Sequence, residues 1–336
     1  MEETTKNATP LIVAGNRVYR ISYPIARNGI DRESLCKRLL DFRYESLSSF
    51  VVNNDISSIT SLSQAEKDAV LGVLSMFLVG KEALSRESIT LARVLDRLGF
   101  KEEFLFAIKV IEEEFKQTLL IREYIDKIFG KIDAEEAIKY NASFKQLTYE
   151  VLPNFSYNLE MNPNEENMIK YLTTFFLALE GIDAVVGYYF FKTFFTKGKE
   201  LKDLNNFIVV SFIEDSRHIV FGNYLLSKIL RDSLYYEFFL EYFSYVGGLA
   251  IRSLSEFINY EIDKWRNKKD AWGEFFKWIY EENGFEKLII FSSKVVRHRL
   301  RSLEKMRINL ERIDKMKLED LGVFTTRSDV EKFLQV

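Results

Sequence analysis

Apolar residues recur at three- and four-residue intervals along most of this 336-residue chain, which is the spacing of amphipathic α-helices. Ser63 and Glu66 form a capping-box pattern, Gly99 and Gly130 each follow a periodic segment, and Asn162-Pro163 is another start signal. The pattern predicts helices over residues 32–42, 63–98, 101–129, 134–152, 162–196, 201–230, 235–267, 271–280 and 285–311. Broad apolar faces on the long helices favour an all-α fold, a four-helix bundle core with additional helices.

The composition agrees with this interpretation. Four prolines and 15 glycines are too few for an all-β sandwich or barrel, which needs frequent turns. A net charge of −3 argues against a nucleic-acid partner. The single cysteine, Cys36, excludes an intramolecular disulfide and the common Cys-rich zinc sites, and it fits a cytoplasmic location. We expect one domain over residues 1–336, with the bundle core at about 60–235 and extra C-terminal helices at 236–336.

The most apolar stretch of the chain covers residues 171–191 and contains Glu180 and Asp183. Two carboxylates near the centre of a membrane span would be costly, so we interpret this stretch as a helix buried inside the bundle. The polar N-terminus lacks the pattern of a signal peptide. We therefore expect no membrane span.

Several acids lie at positions that should face the core. An acid there must be paired, protonated or bound to a metal ion. Two of them have a partner three residues later on the same helix face, where one turn can present two ligands to one ion. The candidate ligands are Glu82, Glu114, Gln117, Glu180, Asp215 and His218, with Asp183 as an additional candidate. Carboxylates with an imidazole suit manganese and iron. The alternative is a set of buried acids paired with Lys81, Lys116 or Arg217, with His218 a core histidine.

The candidate ligands are separated by 32, 66 and 35 residues, taking Glu82, Glu114, Glu180 and Asp215 in order. This order resembles the ferritin-like superfamily of the ribonucleotide reductase small subunit, and it is most similar to the ribonucleotide-reductase-like ligand-binding oxidases. The local sequences at 80–84, 111–118, 179–181, 187–189 and 214–218 carry the resemblance, which covers about residues 35–235. The resemblance implies a ferritin-like fold, two metal ions (Mn/Fe or Fe/Fe) and a homodimer. It also implies a bound apolar ligand, for which a fatty acid is a candidate.

The sequence departs from that family at several positions. Gln117 stands where the family has histidine, and Asp215 stands where it has glutamate. Phe175 replaces the tyrosine that the oxidases crosslink to a valine, here Leu84, so we expect no such crosslink. Ile121 replaces the radical tyrosine of the reductase subunit, which argues against a stored tyrosyl radical there.

Three functional hypotheses follow. The first is a dinuclear metal-carboxylate oxidase that activates O2 next to an apolar, long-chain ligand. The second is a ribonucleotide reductase small subunit that generates a radical. The third is a metal- or lipid-binding helical protein with a degraded, inactive site, which the residues at 117 and 215 favour.

A basic cluster on the last long helix contains Lys294, Arg297, His298, Arg299, Arg301, Lys305 and Arg307. We interpret this cluster as a solvated face, with a contact to phosphate or anionic lipid as the alternative.

Overall fold

Helices account for nearly all of the chain that this computed structural model describes, namely residues 11–14, 17–20, 34–42, 54–194, 201–268 and 277–335. The first elements are strands β1 (Leu11–Ala14) and β2 (Arg17–Arg20), helices α1 (Leu35–Asp41), α2 (Asp55–Thr60), α3 (Gln64–Arg97) and α4 (Lys101–Phe129). Then come α5 (Ala134–Ala137), α6 (Ala142–Lys145), a π-helix (Gln146–Val151), α7 (Leu152–Met161), α8 (Glu165–Leu172), a second π-helix (Thr173–Ala184), α9 (Val185–Phe194) and α10 (Lys202–Ile229). The last are α11 (Ser233–Trp265), a third π-helix (Lys277–Glu281), α12 (Gly284–Asn309), a 3₁₀-helix (Leu310–Lys315), α13 (Leu318–Leu321) and α14 (Arg327–Phe333).

The two longest predicted helices of the first half are confirmed almost to the residue. Ser63 and Glu66 form the complete capping box at the start of α3. Gly99, with a φ of 77°, and Gly130, with a φ of 80°, follow α3 and α4 in conformations that favour glycine. Because only residues 98–100 connect the two helices, α4 packs back along α3.

The predicted four-helix core consists of α3, α4, the continuous segment Glu165–Phe194 and α10. The all-α class and the additional helices are also as predicted, because α11 and α12 pack against the outside of this core. The sequence pattern missed the short antiparallel hairpin of β1 and β2, in which Leu11 pairs with Arg20.

Two predicted boundaries differ from the structure, and a third predicted helix is described only in part. Pro153 does not end a helix: it is the second residue of α7, which follows the π-helix Gln146–Val151 without a break. The start signal at Asn162-Pro163 is displaced, since Asn164 caps the next helix by accepting a hydrogen bond from the Asn167 N–H. The predicted helix 271–280 lies mostly outside the described residues. Its last positions belong to the π-helix Lys277–Glu281.

One helical segment, Glu165–Thr193, is long and apolar enough to cross a membrane by length and composition, but 89% of its most apolar window is buried inside the protein. This agrees with its interpretation as a core helix. Its middle is the π-helix Thr173–Ala184, which packs closely on α10: a Cβ on Gly222 would lie 2.5 Å from Phe176. Only a residue without a side chain allows this approach.

Two acids cap each other's helices where α2 meets α10. The buried Asp55 carboxylate accepts hydrogen bonds from the Asp203 N–H (3.1 Å), the Leu204 N–H (2.9 Å) and the Tyr124 hydroxyl (2.9 Å). In return, the Asp203 carboxylate accepts from the backbone N–H and the side-chain amide of Asn54, both at 2.7 Å. Asp55 therefore satisfies the first-turn donors of α10 and fixes where that helix starts.

We expect Asp55→Ala to lower the free energy of unfolding by about 3 kcal/mol, because it leaves two buried N–H groups and one hydroxyl without an acceptor. Tyr124→Phe removes only one of the three bonds and should cost about 1 kcal/mol. Urea unfolding followed by circular dichroism measures both. Equal losses for the two variants would contradict a capping role.

Candidate metal centre

Five of the predicted ligands meet in the middle of the bundle: Glu114, Gln117, Glu180, Asp215 and His218. Each is at most 1% exposed. The three acids and the histidine bring one donor atom each to within 4.8 Å of one another. The acids on α4, the π-helix and α10 thus converge as the helical spacing predicted.

Glu82 does not join them, and its prediction as a ligand is wrong. Its side chain is 39% exposed on the outside of α3 and forms an ion pair with Arg122 of α4. The preceding residue, Lys81, points inward instead and is 2% exposed. Neighbouring helical residues differ in direction by about 100°, so a shift of one position exchanges a core side chain for a surface one.

The ammonium of Lys81 lies between two acids of the cluster. Its Nζ is 2.9 Å from Glu114 Oε1 and 2.9 Å from Asp215 Oδ1. Burial alone would lower the pKa of Lys81, but Asp215 and Glu114 raise it well above its ordinary value. Burial alone would also raise the pKa of Glu114, but Lys81 and His218 hold it below its ordinary value.

Asp215 is surrounded by hydrogen-bond donors. Its Oδ1 accepts from Lys81 and, at 3.2 Å, from Gln117 Nε2, and its Oδ2 accepts from the Tyr188 hydroxyl at 2.9 Å. The Gln117 amide also donates to Glu214 Oε2 at 2.7 Å. The Gln117 nitrogen thus donates to two carboxylates, and only its amide oxygen, Oε1, could bind a metal ion.

His218 has a carboxylate at each ring nitrogen. Its Nε2 lies 2.9 Å from Glu113 Oε2, and its Nδ1 lies 3.1 Å from Glu180 Oε1. Glu113 is paired in turn with Arg217, at 2.7 and 2.8 Å. Burial alone would lower the pKa of His218, but Glu180 and the other two glutamates raise it well above its ordinary value.

Glu180 is the least compensated acid of the cluster. Burial raises its pKa to about 8, although His218 opposes the shift. The Arg299 guanidinium lies close by and donates from Nε to the Gly181 carbonyl at 3.0 Å. Arg299 is 2% exposed, so this member of the basic cluster is not on a solvated face.

The residues present fit one metal ion better than two. Three buried oxygens of the cluster have no hydrogen-bond partner among the described residues: Glu114 Oε2, Gln117 Oε1 and Glu180 Oε2. Together with His218 Nδ1 and Asp215, the two glutamates form a donor set for a single ion. On another side of this set, the Lys81 ammonium, which is itself a cation, already contacts Glu114 and Asp215.

The sequence interpretation assigned no role at the site to Glu113, Tyr188 or Glu214, and it placed Arg299 on a solvated face. It named Lys81 only in the alternative, as a partner of buried acids, and the structure shows that pairing with Glu114 and Asp215. The signal for Lys81 was present, since Leu74, Leu78, Leu84, Ser85 and Ser88 all lie on its side of α3 and are buried. Glu113 and Glu214 were obscured because each directly precedes a predicted ligand.

No family model matches this chain. Solved structures do: an R2-like ligand-binding oxidase with an aerobically reconstituted Mn/Fe cofactor (long soak) has a TM-score of 0.70 and 22% identity, covering 82% of this chain and 97% of that one. A glycine-to-phenylalanine variant of such an oxidase has a TM-score of 0.71 and 23% identity, covering 81% and 97%. A tyrosine-to-phenylalanine variant has a TM-score of 0.70 and 23% identity, covering 79% and 90%. The likeness confirms the predicted ferritin-like fold and its resemblance to these oxidases at the level of the fold.

Asp183, the additional candidate ligand, lies apart from the four clustered donors. Its Oδ1 accepts from the Ser253 hydroxyl at 2.6 Å, beside a small cavity of about 20 Å³ that Phe77, Gly187 and Phe257 help to line. Burial raises its pKa to about 7, although the bond from Ser253 opposes the shift. Its acidity is therefore set by its own apolar surroundings.

We expect Asp183→Asn to change how stability depends on pH. Folding raises the pKa of this carboxyl, so the wild type binds the proton more tightly when folded and loses stability as pH rises from about 4 to about 7. Asparagine cannot ionise, so the variant should match the wild type near pH 4 and exceed it by about 1–3 kcal/mol at pH 8. Urea titrations at the two pH values measure this difference. If the variant and the wild type differ in stability by the same amount at both pH values, Asp183 does not titrate in this range.

Proposed function

We propose that this chain is a metal-dependent oxidase that binds a redox-active divalent ion, Mn²⁺ or Fe²⁺, at the buried cluster and activates O2 there. One observation carries the proposal: Glu114, Glu180, Asp215 and His218 converge within 4.8 Å inside the bundle, although three of them are acids. Buried acids of this kind need a cation, and oxygen donors with one imidazole suit manganese or iron. The Mn/Fe cofactors of the oxidases with this fold support the choice of metal.

The residues around the ligands hold them in the orientation that a metal ion requires. Glu113 accepts a hydrogen bond from His218 Nε2, which directs Nδ1 towards Glu114 and Glu180. Arg217 fixes Glu113 through both carboxylate oxygens. A carboxylate behind a ligating histidine is the usual way to set the tautomer and the ring orientation.

The surroundings exclude water from the ligands. Phe106 meets the His218 ring edge-on, with centroids 6.5 Å apart, and the buried Phe175 and Phe176 lie on the helix that carries Glu180. When bound, the ion would supply the electrons for O2 chemistry. Before an ion binds, Glu180 holds a proton up to about pH 8, and binding must release it.

The apolar ligand and the cytoplasmic location belong to the same proposal. The fold neighbours are ligand-binding oxidases, and the phenylalanines near Glu180 give the site apolar walls. A cavity of about 270 Å³ is lined by Phe191, Leu204 and Glu331, among others, and none of the clustered acids lines it. We therefore do not assign the ligand to that cavity. Fatty acid remains the predicted class.

A second candidate function is a structural or binding protein with an inactive site. The observation that favours it is the ion pairing of Lys81 with two of the acids, which stabilises the cluster without any metal. A reductase-type radical subunit has less support, since Ile121 packs in the core and Tyr124 is bonded to Asp55.

The test of the proposal is metal loading. We expect the wild type, loaded aerobically with Mn²⁺ and Fe²⁺ together, to retain metal after desalting and to consume O2 when Fe²⁺ is added. His218→Ala should lose most of the metal, whereas the surface variant Glu82→Gln should retain it, because Glu82 is outside the cluster. Elemental analysis and an oxygen electrode give the two readouts. A wild type without metal would refute the proposal, and metal retention without O2 uptake would limit it to metal binding.

A homodimer is also proposed, with support from an apolar stripe on the outer face of α4. Leu105, Ile108, Phe115 and Leu119 follow helical spacing and are each 38–67% exposed. A second copy of the chain would cover them.

We expect Leu119→Glu, a substitution at the most exposed position of this stripe, to shift the protein from dimer to monomer in light scattering. Tyr157→Glu is a control, since Tyr157 is equally exposed on α7. A monomeric wild type would refute the dimer.

A further inference from the structure

One cation of the chain lies inside the ligand cluster. The Lys81 ammonium is within hydrogen-bond distance of Glu114 and Asp215, which are two of the four clustered ligands. Its side chain leaves α3 between the buried residues Leu78 and Leu84 and is held between α4 and α10. The charge is therefore fixed at the centre by the helix that carries it.

Lys81 lies on the helix that would supply a glutamate ligand in a bundle with two metal ions. Bundles with two metal ions use one glutamate from each of two helices and a Glu-x-x-His pair from each of the other two. Here α4 supplies Glu114 and Gln117, the π-helix supplies Glu180, and α10 supplies Asp215 and His218. The remaining helix, α3, supplies no acid to the cluster, and Lys81 is the residue that it directs there.

We propose that the Lys81 ammonium permanently takes the place of one metal ion, so that the site holds a single divalent ion beside a built-in cation. This inference rests on the proposed metal binding and specifies its stoichiometry. The ion would be held by Glu114, Glu180, Asp215 and His218, while Lys81 and Gln117 engage the oxygens on the opposite side.

The charges of the cluster support one ion. Glu114, Glu180 and Asp215 carry three negative charges when ionised, and Lys81 carries one positive charge. One divalent ion makes this set neutral, whereas two would leave two positive charges in excess. The neighbouring acid Glu113 is already matched by Arg217. An uncompensated charge in such a buried site is strongly unfavourable.

The donor atoms lead to the same conclusion. The unpartnered oxygens Glu114 Oε2 and Glu180 Oε2 belong to the acids nearest His218 Nδ1. The oxygens that face Lys81, Glu114 Oε1 and Asp215 Oδ1, already accept its hydrogen bonds. The two unpartnered oxygens and Gln117 Oε1 are bonded by no described residue, so coordination capacity remains away from the oxygens that Lys81 contacts.

The experiment counts metal ions per chain in the wild type and in two variants of Lys81. Lys81→Gln removes the charge at similar length, and Lys81→Glu adds the missing carboxylate. Each protein is titrated with Mn²⁺ alone, without O2, and its stoichiometry is read by native mass spectrometry and by manganese electron paramagnetic resonance. Circular dichroism shows whether each variant is folded, and Glu82→Gln is the control for a charge change next to Lys81 on the surface.

We expect about one ion per chain in the wild type and in Glu82→Gln, and two in Lys81→Glu, with a signal of coupled manganese ions. Lys81→Gln should take its second ion at least tenfold more weakly than Lys81→Glu does. If Lys81→Glu does not fold, a second ion in Lys81→Gln supports the inference, and a single ion at saturation overturns it.

Two ions in the wild type would overturn this inference and leave the proposed metal binding intact. A folded Lys81→Glu that still binds one ion would also overturn it, because the lysine would then not be what excludes the second ion. A wild type without metal whose Lys81→Glu variant binds metal would refute the proposed function while supporting the blocking role of Lys81. No metal in any of the proteins would refute both.

Discussion

The need to balance buried charge governs the centre of this protein. Three acids and a histidine lie at most 1% exposed between four helices, and acids cannot stay ionised there without cations. Lys81 and Arg217 supply two of these cations, and each joins different helices through its ion pairs. The helices must pack closely enough for these contacts, so the packing of the bundle and the chemistry of its centre impose the same geometry.

Small residues make this packing feasible. Gly222 lets α10 approach Phe176 of the π-helix, and Gly181 lies where a Cβ would be 2.7 Å from the Phe176 carbonyl and 3.4 Å from Arg299 Nε. The carbonyl of Gly181 is also the acceptor for Arg299. The π-helix thus carries Glu180 in a region where the backbone, the arginine and α10 are in direct contact. Widened turns of this type are frequent at functional sites.

Much of this arrangement could be predicted from the sequence, because the relevant signals are local. The Ser63 capping box and the glycines after α3 and α4 define those helices, and an acid in an apolar helix such as Glu180 is conspicuous. The sequence around Lys81 and Glu82 does not decide which of the two side chains faces the core. Both positions have apolar residues one turn away, and an acid is the chemically expected ligand, so the sequence favours the glutamate. Only the packing of α3 against α4 and α10 decides which of the two faces inward.

Lys81 also differs from a metal ion in how its occupancy is controlled. A bound ion obeys mass action: its contribution to stability varies with the free concentration of metal and disappears when the metal is removed. The ammonium is part of the chain, so its ion pairs with Glu114 and Asp215 form whenever the bundle folds. They link α3 to α4 and α10 at any metal concentration. The link between these three helices is therefore insensitive to metal supply, whatever the remaining ligands bind.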